Sequence, residues 1–362
     1  MKITDIDTNF SLEHVPGDLE AVYHDVRQAP FAVFGVAFED GMFRRMPADT
    51  AKEVSDGVKY LSTNTAGGRV AFKTDSPFVI LLAELGKADK MPHFTTLGSC
   101  GFDLYADGEF YKPFIPGYGV TAGFDGLVRF SDTKPRELLI HFPLYSDVRS
   151  LRIGLAPGAG LWPCSPYKPS PPVVYYGSSI TQGGCASRPG NAYPAIISMQ
   201  NRMDYVNLGF SGNALGEKKM AEYIAGLDMG AFVLDYDHNA PTVEHLEQTH
   251  ERFYRIVRDR HPAIPVIMVS RPDFTCTEEN ARRREIVRHT CRMARRRGEK
   301  AVFVDGKAMF DNVMRGACTV DGSHPNDLGF YYMAQYIGEA LKAASADEKP
   351  SGEGVVSENA EL

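Results

Sequence analysis

A carboxylate and an imidazole sit three residues apart in Asp321-Gly322-Ser323-His324-Pro325-Asn326-Asp327, just ahead of a helical pattern. Far upstream, the apolar run Val173-Val174-Tyr175-Tyr176 ends in Gly177-Ser178-Ser179-Ile180-Thr181-Gln182-Gly183. A hydroxyl at the end of a buried strand, served by a histidine with its own acid, is the set that acyl transfer needs. Serine is a poor nucleophile near neutral pH. An imidazole must take its proton, and a carboxylate must hold that imidazole in the right tautomer. In this reading Ser179 is the nucleophile, His324 is general base and then general acid, and Asp321 orients His324.

Two further segments can complete such a site. Asn207-Leu208-Gly209-Phe210-Ser211-Gly212-Asn213 contains Gly212, which has no Cβ and can present an open backbone amide. Asp235-Tyr236-Asp237-His238-Asn239 ends in Asn239, whose side chain adds a second N–H. With the backbone amide of Ser179 these make the expected oxyanion hole: Ser179, Gly212 and Asn239. One donor in such a hole is worth about 2.7–4 kcal/mol. Asp237 and His238 flank the last donor, and His238 is a candidate substrate contact.

The elements that must position these groups change character along the chain. Up to about residue 160, short β-branched or alternating runs recur at Phe31–Phe38, Arg69–Thr74, Phe78–Ala83, Phe102–Tyr105, Leu127–Phe130, Leu138–Phe142 and Leu151–Leu155. Turn residues separate them, which predicts a β-sandwich or jelly roll over residues 1–160. A connector rich in proline follows over 161–172 and holds Trp162, the single tryptophan. From 173 to 344, apolar strands (Val173–Tyr176, Tyr205–Leu208, Ala231–Tyr236, Val266–Val269, Ala301–Val304) alternate with helical stretches near 191–203, 216–227, 242–260, 278–297 and 327–343. That is the pattern of a five-stranded parallel sheet covered on both faces, a three-layer α/β/α fold. Ligands bind such sheets at the carboxyl ends of their strands, where all four segments fall. Residues 345–362 lack aromatics and predict a disordered tail.

Composition sets bounds. The 362 residues carry a net charge of −7, with 43% hydrophobic and 23% charged residues, which excludes a general nucleic-acid binder with a basic face. Arg282-Arg283-Arg284 and Arg295-Arg296-Arg297 flank an apolar stripe of Ile286, Val287, Cys291 and Ala294, so they read as the solvated side of a helix. His250 falls on an apolar stripe and reads as a core histidine. The six cysteines show no metal-ligand spacing along the chain. No signal peptide or membrane-length apolar run is present, so a cytoplasmic protein with reduced thiols is expected. No cofactor, no metal, no nucleic acid and no membrane partner are expected; a homo-oligomer is compatible with this reading.

The four blocks together resemble the SGNH/GDSL hydrolase superfamily over roughly residues 173–343, in order, spacing and the Asp-x-x-His-Pro ending. Gly101-Phe102-Asp103-Leu104-Tyr105 resembles the G-x-D-L-Y motif of the β-rich domain that precedes some members. The loop Gly183–Asn191 is similar to the same subgroup, whose relatives are mostly bacterial and include acetylesterases acting on carbohydrates. The resemblance implies a serine esterase that removes acetyl or other small acyl groups from an acetylated oligosaccharide or a similar small ester. Two departures stand out: Ser178 occupies the place of the usual Asp before the nucleophile, and the loop around Asn239 departs from Gly-x-Asn-Asp. The same groups could serve an acyl-thioester or lipid-ester hydrolase. A carbohydrate-binding protein that has lost turnover is the reading from another class. Trp162, at the boundary between domains, is a candidate sugar-stacking residue at the cleft rim.

Overall fold

The computed structural model describes residues 3–7 and 11–345. The expected tail therefore lies outside the described residues, apart from Ser345, which ends the last helix, Asp327–Ser345.

Two antiparallel sheets and a separate hairpin, Ala37–Glu39 with Met42–Arg44, form the N-terminal part. Its strands are β1 Val22–Asp25, β2 Ala32–Phe34, β3 Ala37–Glu39, β4 Met42–Arg44, β5 Arg69–Thr74, β6 Phe78–Glu84, β7 Phe102–Ala106, β8 Glu109–Phe114, β9 Gly123–Arg129, β10 Arg136–His141, β11 Ser150–Leu155 and β12 Leu161–Trp162. One sheet has the order β1-β11-β6-β9 and the other β12-β5-β10-β7-β8. Alternate residues turn inward: Val70 and Phe72 from β5, Leu138 and Ile140 from β10, and Phe102 and Leu104 from β7 meet Val79 and Leu81 from β6 and Leu151 and Ile153 from β11 in one core. Burying each such side chain stabilises by about 1.5–3 kcal/mol, which fixes the strand register because a one-residue slip would expose them all.

The C-terminal part is a parallel sheet of order β14-β13-β15-β16-β17, built from β13 Val173–Gly177, β14 Tyr205–Gly209, β15 Ala231–Asp235, β16 Val266–Val269 and β17 Ala301–Val304. Its strands are buried on both faces. Val174, Tyr176, Phe232, Leu234 and Met268 pack on the helix residues Met220, Ile224, Leu246, Phe253, Val257 and Val287. Val173, Tyr175, Val233 and Ile267 pack on Ile197, Phe330, Ala334 and Ile337 of the opposite layer. This is the α/β/α arrangement that the alternation of strands and helices predicts.

Two buried arginines tie the parts together at β14. Arg69 donates to Asp204 Oδ1 at 2.6 Å and to the Tyr205 carbonyl at 3.0 Å. Arg45 donates to the carbonyls of Asn207, Gly209 and Leu61. The N-terminal part is thus fixed to an edge of the parallel sheet rather than loosely tethered.

Candidate active site

β13 ends at Gly177, where an added Cβ would lie 2.6 Å from the Asp235 carbonyl, so only glycine fits the close approach of β15. Ser178 then takes an extended conformation and caps the four-residue helix Ser179–Gln182, its Oγ accepting from Ile180 N at 3.1 Å. That cap places Ser179 at the first helical position, where backbone amides have no partner inside the helix.

Ser179 Oγ lies 3.0 Å from His324 Nε2. His324 Nδ1 lies 2.8 Å from Asp321 Oδ2. The second carboxylate oxygen, Oδ1, accepts from the backbone amides of His324 at 2.7 Å and Ser323 at 2.9 Å. Partial burial pushes the Asp321 carboxyl up. The amide and ring of His324 and the amide of Ser323 outweigh it and hold the group down at about 2. Thr319 closes the turn, accepting from Gly322 N at 2.9 Å and donating to the His324 carbonyl at 2.8 Å. The carboxylate is therefore charged at any working pH and fixes the proton of His324 on Nδ1, which leaves the Nε2 lone pair facing Ser179.

Phe210 links the end of β13 to Asn239. Phe210 N donates to the Gly177 carbonyl at 2.8 Å, while its own carbonyl accepts from Asn239 Nδ2 at 2.9 Å. This spends one of the two amide hydrogens of Asn239. Gly212 sits at φ +67, a conformation that glycine adopts without strain, with open space where a Cβ would be. Asn239 belongs to the 3₁₀ turn Asp237–Asn239, which is braced from below by the buried Asp237. Asp237 Oδ2 accepts from Arg271 N at 2.8 Å, and its carbonyl accepts from Arg283 Nη1 at 3.1 Å.

His238 is brought to the same place. Its Nε2 lies 2.9 Å from Ser323 Oγ, and its ring centroid is 6.4 Å from that of His324. Burial, then the charges of Arg271 and His324, lower it to about 3, so it is a neutral ring beside His324. Trp162 is not brought there. As β12 it pairs with Lys73, which pairs with Glu137 on β10. The end of β10 that approaches Ser179 is the other one, His141, which leads into Leu144 and Tyr145; these bond Gln182 Nε2 and the Ser179 carbonyl. Trp162 thus lies about 13 Å along the strand from the end that faces the site, and it forms an edge strand rather than part of a free connector.

Several contributors carried no local signal. Asp103 of the G-x-D-L-Y segment is fully buried and accepts from Arg188 Nη1 at 2.9 Å and Gly190 N at 2.6 Å. Its partners lie in the segment that follows the helix Ser179–Gln182, not in a turn of its own sheet. Asp235 accepts from Thr181 Oγ1 and Tyr193 OH, both at 2.9 Å, and burial pushes its carboxyl up to about 7. Arg283, expected on the solvated side of its helix, is buried against Asp237, whose own carboxylate is buried and needs a partner charge. His250 is the core histidine expected, with Nδ1 3.0 Å from Thr290 Oγ1. The fold also gathers His93, Cys185 and His324, whose ligand atoms lie within 4.8 Å of one another, a cluster invisible to spacing along the chain.

A serine and a histidine–aspartate pair at the carboxyl edge of a five-stranded parallel sheet define an SGNH-type ester hydrolase. The GDSL-like lipase/acylhydrolase family model matches residues 170–342, and the model of the N-terminus of SGNH-type esterases, GxDLY, matches residues 21–161. A protein from Bacteroides ovatus assigned as a GDSL-like lipase is 30% identical, with a TM-score of 0.80 over 90% of this chain and 98% of that one. The chain belongs to this family. The salicylyl-acyltransferase SsfX3 of a tetracycline biosynthetic pathway shares the fold at 19% identity and TM-score 0.73, over 90% of this chain and 98% of its own. A family two carbohydrate esterase from Clostridium thermocellum shares it at 14% identity and TM-score 0.56, over 77% and 92%. No curated protein sequence matches the chain. Among the described residues no helix is long and apolar enough to cross a membrane.

Proposed function

We propose that this hydrolase removes small acyl groups, acetyl foremost, from an acetylated oligosaccharide through a Ser179 acyl-enzyme. The observation that carries the reading is the unbroken line from Ser179 Oγ to His324 Nε2 and from His324 Nδ1 to Asp321, at 3.0 and 2.8 Å. As Ser179 Oγ attacks the ester carbonyl, its proton passes to His324 Nε2. The charge that develops on the carbonyl oxygen is taken by the amides of Ser179 and Gly212 and by the free hydrogen of Asn239 Nδ2. His324 then returns the proton to the departing sugar oxygen. A water molecule, deprotonated by the same ring, releases the acid. Asp321 keeps its charge throughout and stabilises the imidazolium.

A carbohydrate alcohol fits the polar surround, in which His238, Ser323 and His93 stand beside the base. The fold shared with a carbohydrate esterase crystallised with cellohexaose supports the same reading. Acetate release from a panel of acetylated oligosaccharides, measured against an aryl acetate and acyl-thioesters, tests it. Oligosaccharides are expected to give the highest kcat/KM; a strong preference for thioesters would replace the sugar by a thioester substrate.

A further inference from the structure

Three ligand-bearing side chains meet at the catalytic histidine from three separate segments. His93 reaches in from the N-terminal β-rich part, Cys185 stands on the loop after the nucleophile helix, and His324 lies on the last turn before the final helix. The ligand atoms of all three lie within 4.8 Å of one another. A compact zinc centre needs sulfur at about 2.3 Å and nitrogen at about 2.0–2.1 Å from the ion, so small side-chain shifts close the set. We propose that His93, Cys185 and His324 form a transition-metal site, suited to Zn2+, whose occupation switches hydrolysis off.

Four features support it. One thiolate and two imidazoles are a borderline-soft donor set that suits zinc rather than magnesium or calcium. Asp321 already holds His324 Nδ1 at 2.8 Å, the carboxylate–histidine arrangement that orients the other ring nitrogen toward a metal. Cys185 adopts φ +73, which a non-glycine residue rarely takes, and the residue is buried. His93 is half-exposed, with Nε2 3.8 Å from Asp321 Oδ2 and its ring centroid 6.1 Å from that of His324. Its exposed face can meet an ion entering from solvent.

Binding the ion and taking the serine proton are mutually exclusive. In this proposal both use the Nε2 lone pair of His324, because Nδ1 is engaged by Asp321 at 2.8 Å. Coordination of Cys185 releases the thiol proton to solvent, and Ser179 Oγ or a water completes the shell. The off-switch rests on the esterase reading, but the metal site itself does not.

Titration of the full chain with Co2+, followed by the thiolate-to-cobalt absorption band, reads the site without turnover. The band is expected in the wild type and in Ser179→Ala, and absent in Cys185→Ser. His93→Ala should need about 10-fold more Co2+ or beyond, as losing even an outer partner of a metal ligand costs that much. Zn2+ should inhibit aryl acetate hydrolysis reversibly, with EDTA restoring it. Cys185→Ser and His93→Ala, each compared with its own metal-free rate, should resist Zn2+ about 10-fold more. No band in the wild type, or a band kept in Cys185→Ser, overturns the site. A band together with full hydrolysis at saturating Zn2+ overturns the switch. Should the chain hydrolyse no ester at all, the esterase reading fails while the cobalt band still decides the site.

Discussion

Asp321 in the C-terminal part and Asp103 in the N-terminal part each hold a basic side chain, under opposite conditions. Asp321 takes its partners from its own turn, with the side chain about one-third exposed, and the His324 and Ser323 contacts overcome burial to hold its carboxyl at about 2. Asp103 takes its partners from a loop more than 80 residues away and is fully dehydrated. Burial dominates there, and even with Arg188 and Gly190 N as partners its carboxyl rises to about 6. A short turn can thus supply a permanently charged carboxylate for chemistry. A carboxylate that joins two parts of the molecule gives up some of its charge to be buried, and what it supplies is position.

The largest expected effect is on the chemical side of this comparison. Ser179→Ala should lower kcat by about 10³-fold or more while circular dichroism and thermal melting stay as in the wild type. A loss that tracks unfolding instead would remove the assignment. Next is Asn239→Ala, expected to cost about 10²–10³-fold in kcat with little change in KM, because the amide acts on charge that exists only in the transition state. An effect confined to KM would make Asn239 a substrate contact and leave the hole with two donors.

The positional side should break differently. Asp103→Ala leaves Arg188 largely buried without its counter-charge and should cost about 3 kcal/mol of stability by urea melts. Activity should fall only as far as the loop Ser187–Asn191 loosens, and low temperature should restore much of it. A large kcat loss with unchanged stability would place Asp103 in the chemistry and erase the contrast with Asp321.

How much of this was legible in the sequence follows the same line. Three of the site segments could be read because they close β13, β14 and β15 in a repeating strand–helix pattern, whereas Asp321–His324 stands well past the end of β17 and was legible from its own spacing ahead of the last helix; β16 and β17 fall on the expected Val266–Val269 and Ala301–Val304. The β1 strand escaped notice because four residues, half of them exposed, give no period. The β8 strand is an exposed edge with Pro113 in it and no alternation. Arg283 was misread because a helical stripe reports what is apolar, not which charge a buried carboxylate elsewhere will draw inward. Asp103 with Arg188, and His93 with Cys185 and His324, are contacts between distant segments; only the docking of the N-terminal sheets on β14 creates them. Trp162 was placed at the cleft by its neighbourhood in the chain, whereas strand pairing with Lys73 carries it to the far end of the sheet.

Asp235 extends the comparison to pH. Its folded carboxyl, raised by burial from 3.8 to about 7, favours the neutral form, so its stabilising contribution is complete below pH 4 and lost as pH rises through 7. Asp321 runs the other way: its contribution is present above pH 4 and lost as pH falls toward 2. Asp235→Asn keeps an oxygen to accept from Thr181 and Tyr193 but cannot ionise. Relative to the wild type, its Tm should therefore be higher at pH 8 than at pH 5. Equal differences at both values would mean that Asp235 is charged in the fold throughout.

The smallest effect should fall on the residue next to the proposed nucleophile, which sharpens the boundary between chemistry and position to one step along the chain. Ser178 Oγ accepts from Ile180 N and is almost wholly buried, so it ends β13 and starts the helix but aims no atom at His324. Its removal leaves one helix amide unpaired, a loss of about 1 kcal/mol for an N-cap. Ser178→Ala should keep most of its kcat and lower Tm slightly. The reason is geometric: the amide of Ser179 is set by β13 and by the bond from Phe210 N to the Gly177 carbonyl, which the substitution leaves in place. If Ser178→Ala were instead inactive and Ser179→Ala active, the nucleophile would be one residue earlier, and the 3.0 Å contact between Ser179 and His324 would be structural.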